Sequence, residues 1–162
     1  MSAERTRTVT WADPLDALER MRGLSGVDAL RAILRGDIPA PPIAVTMNIW
    51  LAEVEEGRVV FEGDPGEFHY NPIGSVHGGF AATLFDSAMG CAVHSKLPAG
   101  VGYATLDLHV RYTRPISTKT GLVRCEARAV HVGKTIATAE ADLTDARGRL
   151  LGHGTSSCAI FR

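Results

Sequence analysis

One long apolar run most constrains what this chain can fold into. Between Phe80 and Val93 only Thr83, Asp86 and Ser87 have polar side chains. The run has the length of a helix and no polar face, which is typical of a helix buried inside a fold. A sheet that covers such a helix must curl around it, because a flat sheet would leave one side of the helix in water.

The turn before this helix has the chemistry of an anion site. His77, Gly78 and Gly79 precede the apolar run directly. The first N–H groups of a helix have no partner within the helix and favour negative charge. The glycines either serve the backbone geometry of a tight turn or let a substrate carbonyl approach a helix-terminal N–H. Such a donor contributes typically about a hundred- to a thousandfold in rate.

Asp86 is a carboxylate on a helix that we expect to be buried. A charge is expensive to bury unless other groups pair with it or donate hydrogen bonds to it. One interpretation is a structural carboxylate held by such partners. The His-Gly-Gly turn upstream favours the other, in which nearby donors hold Asp86 ionised as a general base or nucleophile.

Four more residues are candidates for the same site. No serine or cysteine is spaced to form a triad with His77, so we expect His77 to orient the turn. Asn71 precedes a proline and is either a turn residue or an amide that binds a water or the substrate carbonyl. Arg114, at a strand end, and Lys134, in a hairpin, are either solvated surface residues or a pair of phosphate contacts.

The composition narrows the range of partners. A net charge of −1 and a charged fraction of 22% over 162 residues predict no nucleic acid and no membrane as partner. The three cysteines have no zinc spacing and are expected to be reduced thiols. No P-loop, GxGxxG or HExxH pattern occurs, so neither metal nor cofactor is predicted. The N-terminus has no signal-peptide pattern, which predicts a cytoplasmic location.

The order of elements is helices, strands, the long helix and then more strands. Asp13 before Pro14, and Ser25 further on, predict the caps of two short helices in a helical N-terminal extension over residues 1–42. The long helix is predicted at 78–95. Strand patterns occur at 43–50, 58–61, 67–70, 105–112, 122–132, 135–144 and 149–161.

These residues together resemble a known family. The segment that runs from Asn71 through His77-Gly78-Gly79 to Asp86 is similar to that of the hotdog-fold acyl-CoA thioesterases, in the branch of the phenylacetic-acid-pathway and 4-hydroxybenzoyl-CoA thioesterases. Segments 105–108, 112–115, 131–135 and 144–148 add to the likeness. The resemblance implies an α+β hotdog fold over residues 43–162, an antiparallel sheet wrapped around one long helix. It also implies a homodimer or a dimer of dimers, with active sites at the interface.

The resemblance assigns roles residue by residue. The family's acidic helix residue corresponds to Asp86, its oxyanion-hole amide to Gly78, and its amide-bearing polar residue to Asn71. A hydroxyl that helps to position water in some relatives falls on Thr105. Another group has its hydroxyl one helical turn after the acid, where this chain has Gly90, and that departure favours the phenylacetic-type branch.

The sequence therefore predicts an acyl-CoA thioesterase that acts on an aromatic or medium-chain acyl group. Asp86 of the facing subunit would activate water or attack the carbonyl, while Gly78 holds the oxyanion. Gly79, Arg114 and Lys134 are expected to contact the substrate. The alternatives are a non-catalytic acyl-CoA-binding hotdog module and a hotdog hydratase or dehydratase.

Overall fold

The computed structural model describes residues 4–162. Four α-helices are present in this part of the chain: α1 (Pro14–Met21), α2 (Gly26–Arg35), α3 (Pro42–Met47) and α4 (Gly78–His94). The strands are β1 (Ile49–Glu55), β2 (Arg58–Gly63), β3 (Gly102–Tyr112), β4 (Val123–Val132), β5 (Ile136–Asp145) and β6 (Leu150–Phe161). Among residues 4–162, no helix is long and apolar enough to cross a membrane.

The six strands form one antiparallel sheet in the order β1-β2-β4-β5-β6-β3, and α4 packs inside its curve. Most of α4 is buried, through Phe80, Ala81, Leu84, Phe85, Ala88, Met89, Gly90, Ala92 and Val93. The predicted fold, a sheet wrapped around one long helix, is confirmed. Burial of these large side chains against the sheet is the main source of stability, at about 1.5–3 kcal/mol for each large aliphatic or aromatic residue.

Glycines in β6 let the sheet come close to the helix. A Cβ at Gly154 would lie 2.8 Å from Cδ1 of Phe85, and one at Gly152 would lie 3.4 Å from the same ring. Phe85 is completely buried in this position. The strand therefore needs residues without side chains where the phenyl ring meets it.

The N-terminal helices have the predicted caps. The Asp13 side chain accepts from the Leu15 N–H, and the Ser25 side chain accepts from the Asp28 N–H. Helix α2 packs on β1 and α4, and its Leu30 belongs to the main core. At least this helix covers the sheet-and-helix domain.

The strand predicted at 67–70 is wrong, and the one predicted at 43–50 is wrong except at residues 49 and 50, where β1 begins. Residues 43–47 lie in α3 because Pro42 occupies the first helical turn and Asn48 ends the helix in the left-handed region, at φ 54°. Segment 67–70 contains a 3-10 helix, Glu67–His69, in which the His69 Nδ1 accepts from the Gly66 N–H. β-Branched residues in the first segment suggested a strand, and the proline overrode them.

Strand β3 is an edge strand with a bulge. It pairs with β6 on one side, and no strand among the described residues covers its other side. The register shifts between Thr105 and Asp107. In a regular strand Thr105 and Leu108 would face opposite sides of the sheet, but the bulge puts both on the side of α4 and leaves Leu106 58% exposed.

The cysteines are unpaired thiols in the structure. Cys125 and Cys158 are buried, and Cys91 is half-buried. Burial raises the pKa of all three thiols, that of Cys91 to about 12. Thiols of this kind are protonated and unreactive near neutral pH.

Candidate active site

Asp86 meets Thr105 where α4 meets the edge strand β3. The Thr105 Oγ1 donates to Asp86 Oδ1 at 2.9 Å. The Asp86 side chain is exposed in the single chain, so the expectation that it is buried is wrong there. The reason is its place beside the open edge of the sheet, since the rest of that helix is covered. The structure thus brings two of the predicted site residues into direct contact.

The N-terminus of α4 has one open donor. His77 is the N-cap residue, and its Nδ1 accepts from the Gly79 N–H at 2.8 Å. The neutral ring therefore has its proton on Nε2. Gly78 is the first residue of the helix, and its N–H has no acceptor among residues 4–162. Of the two glycine amides, only that of Gly78 remains available to a ligand.

Tyr112 covers Gly78 and was not predicted. Its hydroxyl donates to the Gly78 carbonyl oxygen at 3.0 Å. A Cβ on Gly78 would lie 3.1 Å from both Cζ and Oη of Tyr112, tighter than an ordinary contact. The sequence shows Tyr112 only as the last residue of a strand, and no local pattern indicates that it reaches the start of α4.

Asn71 organises the loop that leads to the turn. Its Oδ1 accepts from the N–H groups of Ile73 and Ser75 at 3.1 and 3.3 Å, and its Nδ2 donates to Ser75 Oγ at 3.2 Å. The side chain therefore has the turn contacts of the first interpretation. One hydrogen of the amide group is left for another acceptor.

Arg114 and Lys134 lie far apart in one chain. Arg114 follows β3 and donates to the Leu150 carbonyl at 2.6 Å, and Leu150 pairs with Thr144 near the end of β5. Lys134 lies in the turn before β5 and is exposed. The length of β5 separates the two positions by about 30 Å. The structure does not bring these two residues together.

A cavity of about 430 Å³ lies beside the His-Gly-Gly turn. It is lined by Met47, Phe68, His69, Tyr70, His77, Gly79, Phe80 and Thr83. His69 lies between the rings of Phe68 and Phe80, at centroid distances of 4.3 and 4.5 Å. Burial lowers the pKa of His69, which keeps the ring neutral and the wall largely apolar.

The residues present do not form a metal site. Among residues 4–162 no three or more His, Cys, Asp or Glu side chains are grouped so that they could hold a metal ion. The chemistry available is a carboxylate with a hydroxyl donor, a helix-terminal amide and an apolar cavity. This set suits attack on a carbonyl and stabilisation of its oxyanion.

Comparisons with known proteins agree with that chemistry. The family model of the thioesterase superfamily matches residues 73–151. Human acyl-coenzyme A thioesterase 13 is 34% identical over 110 residues, which are 66% of this chain and 76% of that protein. The chain belongs to the thioesterase superfamily. Membership makes it a thioester hydrolase.

Two further relatives extend the comparison. A protein of Halobacterium salinarum that carries an esterase name is 42% identical over 106 residues, 60% of this chain and 64% of that protein. The match thus spans slightly less than two thirds of the halobacterial protein. A phenylacetic acid degradation-related protein of Ralstonia eutropha JMP134 superposes with a TM-score of 0.73 at 26% identity, over 80% of this chain and 98% of the other.

Proposed function

We propose that the chain hydrolyses acyl-CoA to the free acid and CoA, with Asp86 and the Gly78 N–H as its reacting groups. One observation carries the proposal: the same helix holds an exposed carboxylate oriented by Thr105 and a terminal N–H without an acceptor among residues 4–162. Membership of the thioesterase superfamily supports the same reaction class.

Two copies of the chain complete this site. Gly78 and Asp86 are eight residues apart on one helix, which separates them by roughly 12 Å along its axis. A single carbonyl group needs an oxyanion donor within about 3 Å and an attacking atom within about 3.5 Å. One chain therefore does not supply both groups to the same carbonyl. The Gly78 N–H of one copy acts with Asp86 of the other.

The edge strand β3 offers the surface for a second copy. No strand of residues 4–162 pairs with its outer edge, and Leu106 is 58% exposed at the bulge beside Thr105. An exposed strand edge with apolar side chains pairs readily with another strand. Pairing of β3 with its counterpart would cover Asp86 and Thr105 and give a homodimer, or half of a dimer of dimers.

The reaction follows from these groups. The Gly78 N–H donates to the thioester oxygen and stabilises the negative charge that develops there. Asp86 either takes a proton from the water that attacks the carbonyl carbon, or attacks that carbon to form an anhydride that water then hydrolyses. The C–S bond breaks, and the CoA sulfur leaves as a thiolate and takes up a proton. Thr105 holds Asp86 in place, and the remaining Asn71 amide hydrogen is available to the substrate or the water.

The cavity beside the turn supports an aromatic or medium-chain acyl group. Phe68 and Phe80 give it apolar walls, and its volume of about 430 Å³ is in the range of small-molecule sites. The name of the Ralstonia relative connects that protein with phenylacetic acid, an aromatic acid. Arg114 and Lys134 remain our candidates for the CoA phosphates. Their separation means that they would meet one CoA only from two different copies.

Thiol release from a panel of acyl-CoAs tests the proposal. The panel contains phenylacetyl, hydroxybenzoyl, short, medium and long acyl chains, and wild type is compared with Asp86→Asn. We expect turnover of an aromatic or medium-chain substrate, at least about a hundredfold lower in the variant, with unchanged thermal unfolding. Binding of CoA without thiol release by the wild type would contradict the proposal and favour the binding module. Enoyl or hydroxyacyl products would identify a hydratase or dehydratase.

A further inference from the structure

The Tyr103 side chain lies over α4, one helical turn beyond Asp86. A Cβ built on Gly90 would lie 2.9 Å from the Tyr103 hydroxyl oxygen and 3.0 Å from Cε2. The ring also meets His94, with 5.5 Å between centroids. Asp86, Gly90 and His94 follow one another at intervals of four residues, so they share one face of the helix. This face of α4 packs against the part of β3 that lies closest to Asp86.

Gly90 is explained by this contact. A glycine within a helix destabilises it by about 1 kcal/mol relative to alanine. Gly90 is buried in the middle of α4 and has an ordinary helical backbone, so no turn requires it. Close approach of the phenol is the reason for it, since any larger residue would displace the hydroxyl. The absence of a side chain at Gly90 thus leaves the space that the Tyr103 ring occupies.

The hydroxyl that occupies this space has no partner in the described part of the chain. The Tyr103 hydroxyl makes no hydrogen bond with residues 4–162, although the hydroxyl of Thr105, two residues further along β3, donates to Asp86. Tyr103 is half-buried in the single chain, so the residue retains partial contact with solvent. A donor held in a fixed position and left open is available to a water or a ligand.

We infer that Tyr103 is a positioning residue: its hydroxyl, seated over Gly90, holds the water that attacks in the hydrolysis assigned to Asp86. The inference rests on the proposed function. The water accepts a hydrogen bond from Tyr103 and donates one to the Asp86 carboxylate. In the general-base route its second lone pair then points to the thioester carbonyl carbon. In the nucleophilic route the water donates to an oxygen of the acylated Asp86 carboxyl instead and attacks the anhydride, whose C–O bond breaks and releases the Asp86 carboxylate. When the new C–O bond forms, the proton passes from this water to the carboxylate.

The partial burial of Tyr103 is consistent with a hydroxyl that acts as a hydrogen-bond donor. Desolvation, with smaller contributions from Cys91, Cys158 and Asp86, raises the pKa of Tyr103 above its usual value. The phenol therefore keeps its proton and donates. A deprotonated phenol would instead repel the neighbouring carboxylate.

The first test is Tyr103→Phe, which removes one oxygen and keeps the ring against His94. We expect kcat for acyl-CoA hydrolysis to fall at least about fivefold, while KM and the melting temperature stay close to wild type. A residue that only packs the core would lower the melting temperature, and a residue that only shapes the acyl pocket would change KM and the acyl preference. Unchanged kcat, or a change in KM alone, would overturn the inference.

The second test moves the hydroxyl from strand to helix. Tyr103→Ala makes room at position 90, so Gly90→Ser then returns a hydroxyl near the original place. The matched control combines Tyr103→Ala with Gly90→Ala and differs from this variant by one oxygen. We expect a higher kcat for the serine double variant than for the alanine one. Equal kcat values in two folded double variants would contradict the role of the hydroxyl.

Asp86→Asn, assayed in parallel, separates two kinds of failure. If wild type turns over and Asp86→Asn does not, a normal Tyr103→Phe variant refutes only the role of Tyr103. If wild type releases no thiol, or Asp86→Asn keeps full turnover, the proposed function itself fails.

Discussion

Two clusters of polar groups lie on opposite sides of the sheet, and they differ in how many of their hydrogen bonds and ion pairs are formed within one chain. The outer ion cluster, Glu53, Arg58, Arg124 and Glu126, faces away from α4. Arg58 contacts Glu53 and Glu126 at 2.9 Å, and Arg124 contacts Glu53 at 2.7 Å. Each member has its partners within one chain.

The second cluster, the site group, is only partly satisfied by residues 4–162. It consists of Asp86, Thr105, the Gly78 N–H and the Tyr103 hydroxyl. Thr105 and Asp86 pair, but the other two donors have no acceptor among residues 4–162. Polar groups that stabilise the fold have their hydrogen-bond partners within the chain. Polar groups that bind a ligand or a second copy have no partner until that ligand or copy is present. The outer ion cluster should therefore govern stability, and the site group should govern turnover.

Removal of the Gly78 N–H should affect turnover most. Gly78→Pro eliminates the donor at a position that accepts proline, because Gly78 is the first helical residue and His77 before it is extended, at ψ 137°. We expect kcat to fall about a hundred- to a thousandfold. Steady-state thiol release measures the loss.

Gly78→Ala is the matched control for that change. It keeps the N–H and adds only a Cβ at 3.1 Å from Tyr112, a contact that a small shift of the ring relieves. Its loss should be at least about tenfold smaller than that of Gly78→Pro. Equal losses in the two variants would show that space at Gly78 matters and its amide does not.

Thr105→Val should reduce turnover less. It removes the hydrogen bond to Asp86 Oδ1 and keeps the shape of the side chain. A hydrogen bond to a charged group contributes about 1.5–3 kcal/mol, so kcat should fall about tenfold or more. Thr105→Ser should keep most of the activity. If Thr105→Ser lost as much kcat as Thr105→Val, the hydroxyl of Thr105 would not be what supports turnover.

In the outer ion cluster, Arg58→Met should change stability and leave turnover as it is. It deprives Glu53 and Glu126 of a shared donor, and Arg58 is only 21% exposed. We expect the free energy of unfolding to fall by about 1–2 kcal/mol, measured by urea denaturation. A tenfold loss of kcat without loss of stability would contradict the division between the two groups.

The smallest effect should be a change in acid sensitivity. Arg58 holds the pKa of Glu126 at about 2, below its ordinary value of 4.5. A carboxyl with a lowered pKa in the folded state adds stability above its unfolded pKa, and loses it as pH falls through the folded pKa. The melting temperature of Glu126→Gln should therefore depend less on pH between about 4.5 and 2 than that of wild type. If the melting temperatures of wild type and Glu126→Gln changed equally with pH, the contribution of Glu126 to acid sensitivity would be refuted.

Local signals were enough to predict much of the fold. The apolar run from Phe80 to Val93 predicted α4, and the caps at Asp13 and Ser25 predicted two short helices. Turn residues and alternation located β2 to β6 within a few residues. Each signal depends on neighbours in sequence, so the sequence alone contains it. The assignment of Asp86 and Thr105 to one site came instead from the family resemblance, and the hydrogen bond between them was not predicted.

Other features depend on which residues meet in space. The bulge in β3 arises from its pairing with β6, and it moves Thr105 to the helix side. Tyr112 reaches Gly78, and Tyr103 reaches Gly90, across the gap between strand and helix. The exposure of Asp86 depends on which strand is at the sheet edge. None of these features has a pattern in the linear sequence.

Mixed dimers test most directly the claim that Gly78 of one copy acts with Asp86 of another. Asp86→Asn and Gly78→Pro chains, each inactive alone, are produced together with different tags, and the heterodimers are isolated. Each heterodimer has one site with both groups intact and one with neither, so we expect about half of the wild-type turnover. Heterodimers as inactive as their parents, beside an active wild type, would show that the site does not combine these two groups from different chains.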